Sequence, residues 1–145
     1  MAIASLNELI QSYIMRRNSI NLDLTNYSSQ KTLATGETSN LAGWRTARYQ
    51  ALRAEYKNIF STNYKDNDKY TYVDYSELPE YQDEVSYVDS YYQAKTEDLT
   101  AWETQLDNQI TTINTELAEI NSYLESFKQM LSSNIKTDYN YGLNS

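Results

Sequence analysis

The chain contains no cysteine and no histidine among its 145 residues. It therefore has no disulfide framework, no thiolate nucleophile, and no imidazole to bind a metal or move a proton at neutral pH. Many catalytic and zinc sites depend on one of these two side chains. Their absence excludes the catalytic and metal sites that depend on cysteine or histidine.

Turn-forming and strongly apolar sequence is also scarce. The chain has three glycines, one proline and a mean hydropathy of −0.74. Helices need fewer turns than sandwiches or barrels, so this composition favours an all-α fold. No stretch approaches the roughly 20 apolar residues of a transmembrane helix, so we expect no membrane span.

The first residues do not form a secretory signal. The first basic pair, Arg16-Arg17, follows the mildly apolar stretch instead of preceding it. A signal peptide has the opposite order, so we expect none. The absence of cysteine suits an extracellular protein and many cytoplasmic proteins alike.

The sequence lacks recognisable catalytic or ligand motifs. Asp66-Asn-Asp68 resembles the start of a calcium loop, but position 70 is Tyr and no glycine follows. Phosphate-binding loops and nucleophile elbows are also missing. We therefore expect a protein that is not an enzyme, with no catalytic residues, metal, cofactor or small-molecule substrate.

Charge is distributed unevenly along the chain. Residues 1–60 carry seven bases against four acids, whereas residues 61–145 carry five lysines against sixteen acids. The net charge of −8 argues against a nucleic-acid partner. Segments of opposite sign suit pairing with each other or with a neighbouring copy, although solvated surface explains them equally well.

The second half of the chain has the clearest periodicity. Apolar residues recur at spacings of three or four: Leu99, Trp102, Leu106, Ile110, Ile113, Leu117, Ile120, Leu124, Phe127, Leu131 and Ile135. Polar residues fill the intervals, as on the solvated face of a helix. This pattern predicts one long amphipathic helix.

The first half repeats the pattern more loosely. Three-four spacing holds from Ile3 to Tyr27 and continues towards Trp44 and Ile59. It weakens around Gly36, where a glycine costs a helix roughly 1 kcal/mol relative to alanine. We expect a kink or short break near Gly36.

The two stripes can be aligned as an antiparallel pair whose centre, near residue 72, lies in the least helix-like part of the chain. This alignment predicts a long antiparallel helical hairpin resembling a coiled coil. It sets Tyr13 opposite Leu131 and Trp44 opposite Leu99, and places Arg17 over the Phe127 ring. The predicted intramolecular seam comprises Ile20, Leu24, Tyr27, Trp44, Leu99, Trp102, Leu106, Ile110, Ile113, Leu117, Ile120, Leu124, Phe127 and Leu131.

The hairpin divides into four predicted segments: a first arm at 1–60, a tip at 61–84, a second arm at 85–136 and a tail at 137–145. Several apolar residues of the first arm lie off the seam. Either the arm folds back at Gly36 into a bundle, or other copies cover these residues. The candidate subunit contacts are Leu9, Ile14, Leu22, Leu33, Tyr49, Arg16, Arg45 and Arg48.

The tip is rich in tyrosine and acids. The alternating run from Lys69 to Tyr75 predicts a short β-hairpin, and Ser76-Glu-Leu-Pro79 has the features of a helix start. Tyrosines offer large amphipathic contact area, but they can also pack a small core of the tip itself. The candidate tip contacts are Tyr70, Tyr72, Tyr75 and Tyr81.

The layout resembles the axial and export-substrate proteins of flagellar and type III secretion systems. The shared features are the Ser/Asn/Ile-containing start from Met1 to Ser12, an amphipathic arm at each end, and a distinct centre. The apolar arm from Leu117 to Leu131 is similar to their terminal coiled coils. This resemblance implies a filament and an extracellular or cell-surface location reached without a signal peptide; a cytoplasmic location is the alternative.

We therefore hypothesise a structural protein that self-assembles, as a homo-oligomer or filament, within a surface or secretion-related assembly. A soluble helical adaptor or chaperone that binds a partner helix is a second hypothesis. A secreted helical effector that dimerises is a third.

Overall fold

In a computed structural model, which describes residues 2–63, 72 and 74–143, the chain forms two long helices. Helix α1 is Ile3–Asn63 and helix α2 is Pro79–Leu143, with a short 3-10 helix at Tyr75–Glu77 before α2. The two helices pack against each other, which confirms the all-α helical hairpin. The described residues contain no strand.

Helix α1 continues through Gly36 without interruption. The predicted break at Gly36 is therefore wrong, and so is the folded-back bundle that depended on it. The cost of one helical glycine is about 1 kcal/mol, and packing on both sides of it offsets that cost. Ala34 is buried just before the glycine, and Leu41 is half-buried just after it.

Helix α2 begins at Pro79, as its sequence predicted. Proline suits the first turn because the amide hydrogen that it lacks would have no helical partner there. The Gln82 amide donates to the Leu78 carbonyl, and the Gln82 side chain donates to the Ser76 carbonyl at 3.2 Å. Helix α2 thus begins within the predicted tip, at Pro79, and ends within the predicted tail, at Leu143.

Contacts divide the chain into two compact units. Unit 1 comprises Met1–Lys31 and Gln105–Ser145, and unit 2 comprises Thr32–Thr104. Each unit contains one segment of α1 and one segment of α2. The two units have separate apolar cores.

The core of unit 1 is a narrow line of side chains between its two helical segments. Leu6 and Leu106 are buried, as is a cluster of isoleucine and leucine. The cluster contains Ile10, Ile20, Ile113, Ile120 and Leu124, flanked by half-buried Tyr13, Ile14, Leu24, Tyr27, Leu117, Phe127 and Leu131. Beside it, Lys31 forms an exposed ion pair with Asp107.

The ring contacts of α1 lie four to eight residues nearer to the start of α2 than the predicted register placed them. The Tyr13 ring lies against the rings of Phe127 and Tyr123, at centroid distances of 5.3 and 5.8 Å. Both partners precede the predicted Leu131 on α2, and the Phe127 ring that was assigned to Arg17 stacks with Tyr123 at a centroid distance of 6.1 Å. Two three-four stripes match again after a shift of seven residues, so their spacing alone cannot select the register.

The core of unit 2 is more aromatic. Leu52, Tyr56, Leu78 and Val88 are buried, and they are flanked by half-buried Trp44, Tyr49, Ile59, Phe60, Tyr72, Tyr75, Tyr81 and Val85. The Tyr81 ring meets Tyr75 and Tyr56 edge to face, at 5.2 and 5.5 Å. Tyr72, Tyr75 and Tyr81 thus pack on the core of unit 2, most of which comes from the two long helices. Tyr70 and most of the predicted β-hairpin lie outside the described residues.

Two helical glycines of α1 offer a test of this fold. A Cβ added at Gly36 or Gly43 would meet no atom within 4 Å. Gly36→Ala and Gly43→Ala should therefore each stabilise the protein by about 1 kcal/mol, or raise the melting temperature by about 3 °C. Thermal unfolding followed by circular dichroism measures this, and exposed Ala42→Gly is the reverse control. A melting temperature that falls in both alanine variants would contradict the continuous helix.

Candidate interaction site

An open groove runs between the two helical segments of unit 2. Its volume is about 540 Å³. It contains both tryptophans of the chain, one on each helix. The lining residues are Glu37, Asn40, Leu41 and Trp44 from α1, and Tyr91, Lys95, Asp98, Leu99 and Trp102 from α2.

The α2 side of the groove is one face of the helix. Tyr91, Lys95, Asp98 and Trp102 recur at spacings of four, three and four, so they share one face of the helix. The Trp44 ring lies 4.7 Å from the Tyr91 ring, where the predicted register placed Leu99. The residues form an apolar floor whose rim carries Glu37, Lys95 and Asp98.

A polar residue interrupts the seam next to the groove. Val88 is buried, Tyr92 and Thr96 follow at steps of four, and two successive fours make a heptad register slip. The Thr96 hydroxyl is buried and has no hydrogen-bond partner among the residues described. The seam therefore carries an unsatisfied polar group at this point.

The two walls of unit 2 carry opposite charge. On α2, residues 79–104 include seven acids and one lysine, a net charge of −6. On α1, residues 32–63 include three arginines, one lysine and two glutamates, a net charge of +2. Lys95, the single base on the acidic wall, has its Nζ 5.6 Å from the centre of the Tyr91 ring. The Thr38 hydroxyl donates to Glu103 across the two segments at 3.3 Å.

Three of the predicted subunit contacts lie against other side chains of the same chain. The Arg45 guanidinium lies 4.0 Å from the centre of the Tyr92 ring and 5.9 Å from that of Tyr49. Tyr49 also packs on the core of unit 2, and Ile14 packs on the core of unit 1. These three side chains therefore have contacts within the chain.

The remaining predicted contacts lie nearer to solvent. Leu9 is half-buried, whereas Leu22, Leu33, Arg16 and Arg48 are exposed. Every residue of the predicted seam is at least half-buried. The fully buried ones are Ile20, Leu106, Ile113, Ile120 and Leu124, and the half-buried ones are Leu24, Tyr27, Trp44, Leu99, Trp102, Ile110, Leu117, Phe127 and Leu131.

Sequence reasoning missed other exposed apolar side chains. Met15, Tyr123 and Met130 are exposed on unit 1, and Tyr87 and Tyr91 are exposed on unit 2. The sequence does show a pattern for the residues of unit 1. Met15 precedes Leu22 by seven residues, and Tyr123 precedes Met130 by seven. Such pairs lie two helical turns apart on one face.

Within the described residues, no group of three or more acidic side chains is arranged to hold a metal ion. Neither helix, over the part that the structure describes, is apolar enough to cross a bilayer. Comparison with known proteins found no matching family model, no matching characterised protein and no matching solved structure. The groove and the exposed apolar residues are therefore interpreted from their own chemistry.

The buried hydroxyl beside the groove gives a second prediction. Thr96→Val replaces this hydroxyl with a methyl group of similar size. Because a buried, unsatisfied polar group costs about 1–3 kcal/mol, the variant should be more stable by an amount in that range. Urea unfolding measures the change. The exposed Thr100→Val is the control and should be close to neutral; a loss of stability in Thr96→Val would mean that the hydroxyl has a partner in solution.

A third prediction concerns the buried phenol of Tyr56. Burial raises its pKa above the ordinary value of 10.0, and the negative charges of Glu84 and Glu80 raise it further. Because the folded state holds this proton more tightly than the unfolded state, its stabilising effect is complete below pH 10 and is lost as pH rises through the folded-state pKa. Tyr56→Phe should therefore lose less stability than wild type in alkaline urea unfolding. Parallel losses in the two proteins would contradict the assignment.

Proposed function

We propose that the chain is a non-enzymatic structural protein that assembles with copies of itself through its amphipathic helices. The observation that carries this proposal is the alignment of exposed apolar side chains on both helices of unit 1. Met15 and Leu22 are 71% and 67% exposed on α1. Tyr123 and Met130 are 51% and 42% exposed on α2.

The relative position of these side chains supports self-assembly more strongly than their exposure does. Single apolar residues are common on protein surfaces, and the exposed Asn18 and Ser19 separate Met15 from Leu22, so the pair forms a spaced line and not a contiguous patch. A spacing of seven keeps both members of each pair on one face of their helix. Such a face, on each of two helices, supports packing against further helices.

The total exposed surface supports the same proposal. The chain exposes 10423 Å², whereas a compact monomer of 16.9 kDa exposes about 7,700 Å². The difference is about 2,700 Å². A stable interface buries about 800 Å² on each partner, so the chain has ample surface for more than one contact.

We extend the proposal to a filament or a surface or secretion-related assembly. The support is the resemblance of the two helical arms to subunits that polymerise through their terminal helices. This extension carries with it a location outside the cell or on its surface.

The open groove of unit 2 favours a second candidate function, a helical adaptor. A groove between two helices with an aromatic floor suits the apolar face of a third helix. The third helix would then belong to another protein.

The self-assembly proposal predicts that wild-type protein forms larger species as its concentration rises. Leu22→Asp should keep its helicity, because Leu22 is exposed, but should weaken assembly at least tenfold by placing a charge in the contact. Light scattering after size exclusion measures assembly, and circular dichroism measures helicity. Asn21→Asp adds the same charge on a different face of α1, where Asn21 is exposed, and should assemble normally.

A seam variant separates folding from assembly. Leu124 is only 2% exposed, so Leu124→Ala should cost the hairpin about 2–5 kcal/mol of stability. Its melting temperature should fall further than that of Leu22→Asp, which loses only helix propensity and the stabilisation that assembly provides. Wild-type protein that stays monomeric at every attainable concentration would sink the proposal.

A further inference from the structure

Both internal methionines of the chain lie on the outside of unit 1. Met15 on α1 is 71% exposed, and Met130 on α2 is 42% exposed. The chain has one further methionine, at position 1, and no cysteine. Thioethers are therefore its only sulfur groups, and the two internal ones are open to oxidants in solution.

Met15 lies beside an open surface depression of about 480 Å³. The other lining residues are Asn7, Glu8, Gln11 and Ser12, all of them exposed. Gln11 precedes Met15 by four residues and Ser12 by three, the spacings at which side chains on a helix are neighbours. The Gln11 amide and the Ser12 hydroxyl are hydrogen-bond donors. An oxygen atom added to Met15 would therefore lie in the same depression as two donors, and in contact with water.

Oxidation changes the polarity of a methionine side chain without changing its length. A peroxide transfers one oxygen atom to the thioether sulfur: the O–O bond breaks, an S–O bond forms, and hydrogen peroxide leaves as water. The sulfur loses two electrons and the peroxide gains them. The product is a polar sulfoxide, which methionine sulfoxide reductases return to the thioether with electrons from two thiols, the oxygen leaving as water.

The fold of unit 1 does not depend on the Met15 thioether. Among the described residues, the core of unit 1 is formed and flanked by other side chains, such as Ile10, Tyr13 and Leu124. Met15 keeps most of its surface in solvent. A sulfoxide there would be hydrated in the separate hairpin and would leave the seam unchanged.

We propose, on the basis of the self-assembly proposed above, that Met15 is an oxidation site that controls this assembly. Met15 shares one face of α1 with Leu22, so a contact through Leu22 covers the Met15 thioether as well. A sulfoxide covered by apolar surface loses its hydrogen bonds to water, which is unfavourable, whereas in a separate copy it keeps them. Oxidation therefore favours the separate copies, and reduction restores the contact.

Peroxide treatment of two matched variants tests the site. Met130→Leu leaves Met15 as the only internal methionine, and Met15→Leu leaves Met130. Mass spectrometry follows the gain of about 16 Da at each methionine, light scattering follows assembly, and circular dichroism follows helicity. Treatment should weaken assembly of Met130→Leu about tenfold relative to its untreated sample, because a polar group is then buried without a partner, and helicity should not change.

The Met15→Leu protein should respond less to the same treatment, since Met130 exposes less of its side chain for a contact. A response as large as that of Met130→Leu would overturn the assignment to Met15. So would Met130→Leu protein that carries the added oxygen at Met15 and assembles as tightly as before.

A substitution tests the same site without an oxidant. Met15→Gln places an uncharged polar group of similar length at this position, and glutamine is a good helix former. Met15→Gln should assemble about tenfold more weakly than Met15→Leu, with equal helicity. Equal affinity of the two variants would contradict the proposal.

Protection from oxidation gives a direct readout of the contact. If assembly covers Met15, its rate of oxidation should fall as wild-type protein is concentrated through the range in which the mass increases. Leu22→Asp, which weakens the contact, should remove this protection. A rate at Met15 that stays constant while the mass increases would overturn the oxidation site.

The outcomes for this site and for self-assembly are distinct. Wild-type protein that remains monomeric overturns both proposals. Protein that assembles as well with oxidised as with reduced Met15 overturns the oxidation site alone and leaves the contact through Leu22 in place.

Discussion

Packing across a seam one side chain wide is the constraint on which the rest of this structure depends. In each unit a segment of α1 meets a segment of α2 along a single line of apolar residues, such as Ile20, Ile120 and Leu124 in unit 1. Long helices gain most of their stability from such packing and little from intrinsic propensity. The line tolerates a glycine at position 36 because glycine costs little when the residues around it remain packed.

A seam this narrow leaves apolar surface uncovered, and the self-assembly proposed for the chain follows from that. In unit 1 the uncovered residues lie on the outer faces, where Met15 and Leu22 share one side of α1. In unit 2 the seam slips at Thr96, and an aromatic groove lies beside it. The same unit separates positive charge on α1 from negative charge on α2. Apolar surface supplies the affinity of the proposed contacts.

The sequence was sufficient to predict the all-α hairpin, because apolar residues three or four apart on both arms follow the periodicity of one helix face. It was sufficient for the start of α2, because Pro79 marks a first helical turn. It could not define the register, since the partner of Tyr13 depends on packing that a repeating stripe does not encode. The groove escaped notice because Tyr91, Lys95, Asp98 and Trp102 mix polar with apolar residues, and such a stripe stands out only once the seam beside it is known. Likewise, Tyr75 and Tyr81 could have faced either solvent or core, and only their mutual ring contact decides.

The register of the seam is the claim from which the cores, the groove and the uncovered faces all derive. It is tested most directly by the nuclear Overhauser effect between aromatic protons in selectively labelled protein. The structure predicts a strong cross-peak between the rings of Tyr13 and Phe127, whose centroids are 5.3 Å apart. Absence of that cross-peak, with one between Tyr13 and the Leu131 methyl groups in its place, would restore the register that spacing alone suggested and contradict the account.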